Sequence, residues 1–363
     1  MNGSSTKLDA AELEHSVSRA IDFLYESQLP YGEFRTYASP DQEMGDQSRF
    51  DSSPFVTSLV LHCVSTVDTP RAQEMRARAL GFLQEEMEGP GLWRYWSSRN
   101  RRHKLLPPDL DDTCCISFIL KSNHVSVPPN RDIILANRNG DGIFYTWVVP
   151  RSTSPSPGAG GLDYDVNPEA LLTVILSGAV DNVDCAVNAN VLLYLGESED
   201  TKKAVDYLVG MVLEGKENGC SDFYPDRLSF YYMLSRAYRH GVLSLESIAL
   251  PVTDRVSRSQ VDDGSFGNEL LSALAMCTLL NFGRVTPAAG RAVEHLLRAQ
   301  REDGSWPRRA MFLGPAPYYG SEELTTALCV EALARYRMPA SAQKAAGHSA
   351  LSPDSGHGSI ASL

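Results

Sequence analysis

Apolar and polar positions recur along the chain in two ways, and both are helical. In "AAELEHSVSRAIDFLYESQ" (10–28) and "PRAQEMRARALGFLQEE" (70–86), apolar residues fall at i, i+3 and i+4 with charge on the opposite face, the pattern of an amphipathic surface helix. Past a turn, each gives way to a stretch that is apolar nearly all round, such as "SPFVTSLVLHCVS" (53–65) or "ELLSALAMCTLLNFG" (269–283). A helix enclosed on every side reads that way. The period-two alternation of a half-buried strand is nowhere sustained, so the pattern predicts an all-α chain.

The alternation is also a repeat. "SRSQVDDGSFGNELLSALAMCTLLNFG" from Ser257 and "LLRAQREDGSW" from Leu296, continued by "SEELTTALCVEALARY" from Ser321, share one order of events. A Gln closes an amphipathic helix, Asp-Gly makes a turn, Ser precedes an aromatic residue, and an apolar helix follows. Gly supplies the positive φ of such a turn and Asp bonds its own backbone. Weaker copies lie upstream at "FLYESQLPYGEF", "GFLQEEMEGPGLWRYW", "ILANRNGDGIFYTWVV" and "VGMVLEGKENGCSDFY", which makes six units, four of them degenerate. Six helix pairs closing on themselves predict an (α/α)6 toroid whose inner helices ring a cavity. The domain is expected over 10–338, with a flexible N-terminus (1–9) and a small, polar, Gly/Ser-rich tail (339–363). The Pro/Ser/Gly stretch 150–165 inside the third unit reads equally as a lid or as a plain insertion.

Composition narrows the function classes. The 363 residues are 43% hydrophobic and 21% charged, a globular composition, and the formal net charge of -12 argues against a nucleic-acid partner. There is no apolar run long enough to span a membrane and no charged-then-apolar leader, so a cytoplasmic protein is expected. The seven cysteines are scattered through apolar segments, which predicts reduced core thiols rather than a disulfide framework.

One unit departs from the others in charge. "PPDLDDT" (107–113) crowds Asp109, Asp111 and Asp112 at the mouth of an apolar helix. The structural reading is an N-capping cluster, with a carboxylate bonding free amides; chelation of Mg2+ is another. The chemical reading follows from crowding: neighbouring carboxylates in a low-dielectric cavity cannot all ionise cheaply, so one keeps a proton near neutral pH and is available as an acid.

These two features together carry a resemblance. The turn "QREDGSW" resembles the QW repeat of squalene-hopene and oxidosqualene cyclases, and "DLDDT" resembles the DxDD acid motif of class II terpene cyclases. The resemblance covers residues 10–338 as an architecture, and at residue level only the last two repeats and the acid motif. It implies that Asp111 protonates an olefin or epoxide of a prenyl or terpenoid substrate and starts a carbocation cyclisation, with Asp109 and Asp112 in support. Class II cyclases generally pair two α-barrel domains, whereas this chain has length for one, so the resemblance implies a single-barrel member.

A cationic intermediate needs aromatic faces. Phe34, Trp93, Tyr95, Trp96, Phe144, Tyr145, Trp147, Phe223 and Tyr224 stand at equivalent turn positions, while Trp306 and Phe266 read as staples between helices. Asp51 stands at the mouth of the first inner helix. "DNVDCAVN" sets Asp181, Asp184 and Asn188 along one helical stripe, either facing the cavity or capping and bonding backbone. The toroid is shared by protein prenyltransferase β-subunits, but their zinc-ligand spacing is absent, so no metal site is expected. The basic run with Arg101, Arg102 and His103 offers an anion contact, an anchor for the acid cluster, or a plain surface loop. No cofactor is required, and Mg2+ enters only if the substrate carries a diphosphate. Two other functions fit the same fold: a carbohydrate-active hydrolase or lyase using Asp111 as general acid, and a non-catalytic toroid binding isoprenoid or protein. An aliphatic and aromatic cavity wall would separate the first reading from the sugar one. The sequence leaves the oligomeric state open.

Overall fold

The computed structural model describes residues 9–150, 167–313 and 316–338. The 150–165 loop past Pro150 and the tail from 339 lie outside the described residues, as do residues 1–8. Asp9, expected in a flexible N-terminus, caps the first helix by accepting from Ala11 N.

The described residues form thirteen α-helices, which fall largely two by two in chain order. They are α1 (Ala10–Ser27) with α2 (Pro54–Cys63), α3 (Pro70–Glu85) with α4 (Leu110–Ser122), and α5 (Arg131–Ala136) with α7 (Cys185–Leu195), α6 (Pro168–Leu176) being an extra helix between these last two. Then follow α8 (Lys202–Leu213) with α9 (Arg227–Arg239), α10 (Ala249–Arg258) with α11 (Glu269–Asn281), and α12 (Pro287–Ala299) with α13 (Glu322–Tyr336). The second member of each pair touches the next such helix, from α2 to α4, α7, α9, α11 and α13, and α13 returns to α2. Every residue of α2 and nearly every residue of α11 and α13 is buried, as helices without a polar face must be. α12 buries only Ala288, Ala289, Ala292, Val293 and Leu296, one stripe, and turns its charges outward.

The repeat has a physical basis at each turn. Trp93 and Trp306 are fully buried, and each donates its indole N–H to a carbonyl of the preceding helix, Leu83 O at 2.8 Å and Leu296 O at 2.9 Å. The backbone N–H of the turn aromatic is taken by a side chain early in the following helix: Phe34 by Thr57, Trp93 by Thr113, Phe144 by Asn188, Phe266 by Ser272 and Trp306 by Thr326. The Gln amides of the pattern tie units together. Gln28 donates to Gly32 O and Met75 O, Gln260 to Gly264 O and Ala288 O, and Gln300 to Gly304 O and Ser16 O, the last joining the sixth unit to the first. Gly304, at φ 88°, lies so close to α1 that a Cβ there would stand 2.4 Å from Arg19 O.

Two expectations are corrected. A small antiparallel sheet exists, ordered β2-β1-β4-β3 from β1 (Tyr37–Ser39), β2 (Arg49–Phe50), β3 (Arg309–Phe312) and β4 (Tyr318–Ser321). It clasps the first unit to the last, and its strands are too short for alternation to show. Cys185 and Cys220 form a disulfide, while Cys63, Cys114, Cys115, Cys277 and Cys329 are free and buried. An odd count scattered over the chain hid one pair that the fold brings together.

Candidate active site

Each inner helix begins with a polar cap whose side chain accepts backbone N–H: Ser53, Asp109, Asp184, Asp226, Asn268 and Ser321. Asp109 therefore does what its counterparts do, accepting from Asp112 N at 2.8 Å. Capping accounts for one carboxylate of three. Asp111 and Asp112 are the surplus of the second unit.

Asp111 is half-buried and keeps part of its surface open to a partly enclosed cavity. Asn190 Nδ2 donates to its Oδ1 at 2.6 Å and the Tyr224 hydroxyl to its Oδ2 at 2.6 Å. Burial, and then the charge of Asp109, push its pKa up to about 7, against the pull of those two donors. Asp112 is pushed well above the usual carboxylate range by burial and by the charges of Asp109 and Asp111, and its Oδ1 is buried with no partner. Asp109 is raised too, chiefly by burial, but the backbone N–H groups of Asp111 and Asp112 and the Arg94 guanidinium act to lower it. Asp109 and Asp112 are hydrogen-bonded to each other and titrate as a pair.

The cavity offers about 130 Å3 of space to the centres of water molecules, where a site for one water needs about 10–15 Å3. Its wall is Phe55, Tyr95, Trp96, Trp147, Phe223, Tyr224, Phe312 and Tyr319 with Leu106, Leu313 and Thr146, around the three aspartates. The rings meet edge to face, Tyr95 on Tyr319 at 5.4 Å and Trp147 on Phe223 at 5.9 Å, so their faces are presented at several angles. The Tyr95 hydroxyl is buried without a partner. A larger hollow, bordered by Asp262, Asp263, Arg291, Glu294, His295 and Arg298, is open and charged and holds none of this chemistry.

The other sequence candidates are distributed as follows. Trp96 and Trp147 are in the wall. Asp51 stands behind Trp96, accepting its indole N–H at 2.8 Å and Asn100 Nδ2 at 2.7 Å. Trp93 is a staple, and Tyr145 exchanges backbone-side bonds with Asn137 outside the wall. Asp181, Asp184 and Asn188 share no stripe, because α7 begins only at Cys185. Asp181 is exposed; Asp184 caps α7 and also accepts from Ser221 Oγ and Asp222 N; Asn188 bonds the backbone N and O of Phe144. His103 does not anchor the acids: its ring meets Trp96 O at 2.8 Å and Glu88 at 3.1 Å. Glu88, lowered to about 2 against its burial by the His103 and Arg94 bonds, binds Arg94 at 2.7 Å, so His103 reaches Asp109 only through that chain. Arg102 lies 3.8 Å from Asp51 and over the Trp96 ring, and Arg101 is exposed.

Sequence reasoning missed Asn190, Arg94 and Glu88; it offered Tyr224 as a cavity ring, which the wall contains, but did not foresee the bond of its hydroxyl to Asp111. Asn190 carried a signal, being a second Asn in the otherwise apolar run "CAVNANVLLYL". Tyr224 breaks the repeat: Phe230 stands where its unit should carry the polar acceptor, and Tyr224 N turns to Ser221 Oγ at 3.0 Å instead.

The fold is that of the class II terpene cyclases. Type II terpene cyclase MstE from Scytonema superposes with a TM-score of 0.66 at 16% identity, over 89% of this chain and 98% of that one. A variant of MstE in complex with its substrate, geranylgeranyl dihydroxybenzoate, gives 0.67 at 17%, over 90% and 98%. A protein from Actinoplanes gives 0.68 at 16%, over 90% and 100%, and ent-copalyl diphosphate synthase from Streptomyces platensis gives 0.56 at 15%, over 92% and 69%. No family model and no curated protein matches the chain.

Proposed function

We propose that the protein is a single-barrel, class II-type terpene cyclase built as an (α/α)6 toroid, with Asp111 as the Brønsted acid. The observation that carries the reading is the pairing of a carboxyl raised to about 7 with a cavity walled by eight aromatic rings. Asp111 gives its proton to an alkene carbon or an epoxide oxygen of a prenyl chain. In the alkene case the π pair forms the new C–H bond and leaves a tertiary cation; in the epoxide case the C–O pair goes to the oxygen. The next double bond attacks the electron-poor carbon, a ring closes, and loss of a proton ends the cascade. Asn190 and Tyr224 already point donors at Asp111, so they stabilise the carboxylate as it forms without reorganising. The ring faces stabilise the positive charge that moves away.

The reaction so written needs no cofactor, and Mg2+ would enter only through a diphosphate on the substrate. MstE, bound to a prenylated dihydroxybenzoate in one complex and to merosterolic acid A in another, supports a prenyl or terpenoid substrate. No helix among the described residues is long and apolar enough to cross a membrane. The sugar reading is disfavoured by the wall, in which, among the described residues, Thr146 and three phenols are the only polar side chains beyond the acids and the Trp96 and Trp147 indoles.

The test is incubation with prenylated dihydroxybenzoates, prenyl diphosphates, prenols and squalene. A cyclised product should form, and Asp111→Asn should reduce it by about 10²–10⁴-fold, the usual worth of a positioned acid. If no substrate gives a product that depends on Asp111, while ligand affinity is the same in both proteins, the chain is a binding toroid.

A further inference from the structure

Tyr224 reaches Asp111 from the irregular segment between α8 and α9, and what fixes that segment is a cluster around Asp184. Cys220 is bonded to Cys185, the first residue of α7, and Cys220 O accepts from Cys185 N at 3.1 Å. The next two residues are held by Asp184 Oδ2, which accepts Ser221 Oγ at 2.7 Å and Asp222 N at 2.8 Å. Ser221 Oγ in turn accepts from Tyr224 N at 3.0 Å. Asp184 Oδ1 meanwhile caps α7, whose sixth residue is Asn190, the other donor to Asp111. Both groups that hold the acid are thereby referenced to one point.

We propose that the Cys185–Cys220 disulfide, with Asp184, positions the Tyr224 hydroxyl on Asp111, so that opening the disulfide detunes the acid. Cys220 is half-buried, whereas its partner Cys185 and the five unpaired cysteines are buried, so among the cysteines Cys220 is the one nearest solvent. Reduction by a dithiol is balanced: the S–S bond takes two electrons and two protons to give two thiols, and the reductant becomes a cyclic disulfide. Freed of the tether, the segment keeps its hydrogen bonds, those to Asp184 and Ser221, the Cys185 N–H on Cys220 O, the Leu313 N–H on Phe223 O and the Asn182 amide on Asp222, but loses its one covalent anchor to α7, and Tyr224 spends less time on Asp111. The groups facing Asp111 are Asp109 and Asp112 on its own helix, Asp184 across from α7, Tyr224, and the Cys114 and Cys115 thiols, both raised by burial. Of these ionisable groups, Tyr224 is the one whose bond lowers the Asp111 pKa, so loosening it raises that pKa further.

The proposal rests on the cyclase reading only for its turnover arm. Alkylation of denatured, unreduced protein should modify five of the seven cysteines, and seven after dithiothreitol. Carbon-13 NMR of the Asp111 carboxyl, identified by its loss in Asp111→Asn, should then show titration moving up by about half to one unit on reduction, a threefold to tenfold change in proton affinity. Tyr224→Phe should give the same upward shift, and Cys220→Ser should add nothing to it. The alkaline fall of turnover should move in parallel. Seven reactive thiols in protein kept under oxidising conditions, or an Asp111 titration unmoved by reduction but moved by Tyr224→Phe, overturns the proposal. If no prenyl substrate turns over, the cyclase reading fails by itself, and the resting-state titration still decides the positioning. Because reduction acts on the folded wild-type chain, an unstable Cys220→Ser leaves the result intact.

Discussion

The two ends of the helix ring bury opposite charges, and the aromatic-walled cavity lies at the acidic one. At the starts of the inner helices Asp109, Asp111 and Asp112 border the cavity. At their finishes stand His62 on α2, Arg236 and Arg239 on α9, and Arg335 on α13. Both placements complement the helix dipole, acid at the N-terminus and base at the C-terminus. At the basic end the charged groups are packed against one another. Arg236 lies 5.5 Å from the Tyr232 ring and bonds Met233 Sδ and Cys115 Sγ; Arg335 meets Glu331 at 2.7 Å, and Tyr232 donates to the same Glu331 at 2.6 Å. His62 and His240, 5.8 Å apart, are kept neutral by burial and by those guanidiniums, His240 down to about 3. Buried charge is thus no mark of chemistry in this molecule. What distinguishes the acidic end is a proton held beside open space.

The comparison predicts different failures. Glu331→Gln removes the carboxylate that neutralises the basic end, and losing one partner of a buried pair should cost about 3–5 kcal/mol of unfolding free energy. Urea denaturation measures it. The pH dependence of any activity should survive in the folded variant. A loss below about 1 kcal/mol would mean that the helix termini, not Glu331, neutralise those arginines.

The acidic end should reveal itself through pH. Asp111 has a folded pKa raised to about 7 from the ordinary 3.8 of a free aspartate, so the folded protein binds a proton that the unfolded chain has released. Its contribution to stability is complete below about pH 4 and is lost as pH rises through about 7. Asp111→Asn lacks that titration. The variant should gain on the wild type by up to about 1.4 kcal/mol per pH unit across this window, and then no more. Parallel stability curves would show an Asp111 of ordinary acidity. Turnover should follow the same ionisation, falling tenfold per unit above about pH 7 because the reaction needs the protonated acid.

How much of this was legible depended on whether a feature belonged to the repeat or departed from it. The Gln28, Gln260 and Gln300 amides and the Trp93 and Trp306 indoles perform the same act in several units, so self-similarity alone exposed the helix pairs. The sheet escaped because its register is set by ring closure between residues nearly three hundred positions apart, Tyr37 against Gly320. In the site, "DLDDT" was visible as a departure in charge. The placement of Tyr224 and Asn190 was not, because a phenol meeting a carboxyl 113 positions away obeys no local spacing. Yet both lie in degenerate units, and in that of Tyr224 the repeat's own hydrogen bond has been redirected to Ser221. The stripe drawn through Asp181, Asp184 and Asn188 failed for a related reason: a strong N-cap and a polar face look alike until the first residue of the helix is known.

The smallest effect separates two tryptophans that sequence places at equivalent turns. Trp93 is wholly buried against Leu83 O, in the manner of Trp306, whereas Trp147 keeps 7% of its surface exposed and stands in the cavity wall with Phe223. A ring face near a desolvated cation is worth about 0.5–2 kcal/mol. Trp147→Leu should therefore slow cyclisation by about twofold to thirtyfold and redistribute products, with little change in the denaturation midpoint. Trp93→Leu should do the reverse, lowering the midpoint through the lost indole bond and the cavity left behind. The product pattern of the molecules that remain folded should stay that of the wild type. If Trp93→Leu changes the products and Trp147→Leu does not, the cation travels on the other side of the second inner helix, and the wall assigned to it here is the wrong one.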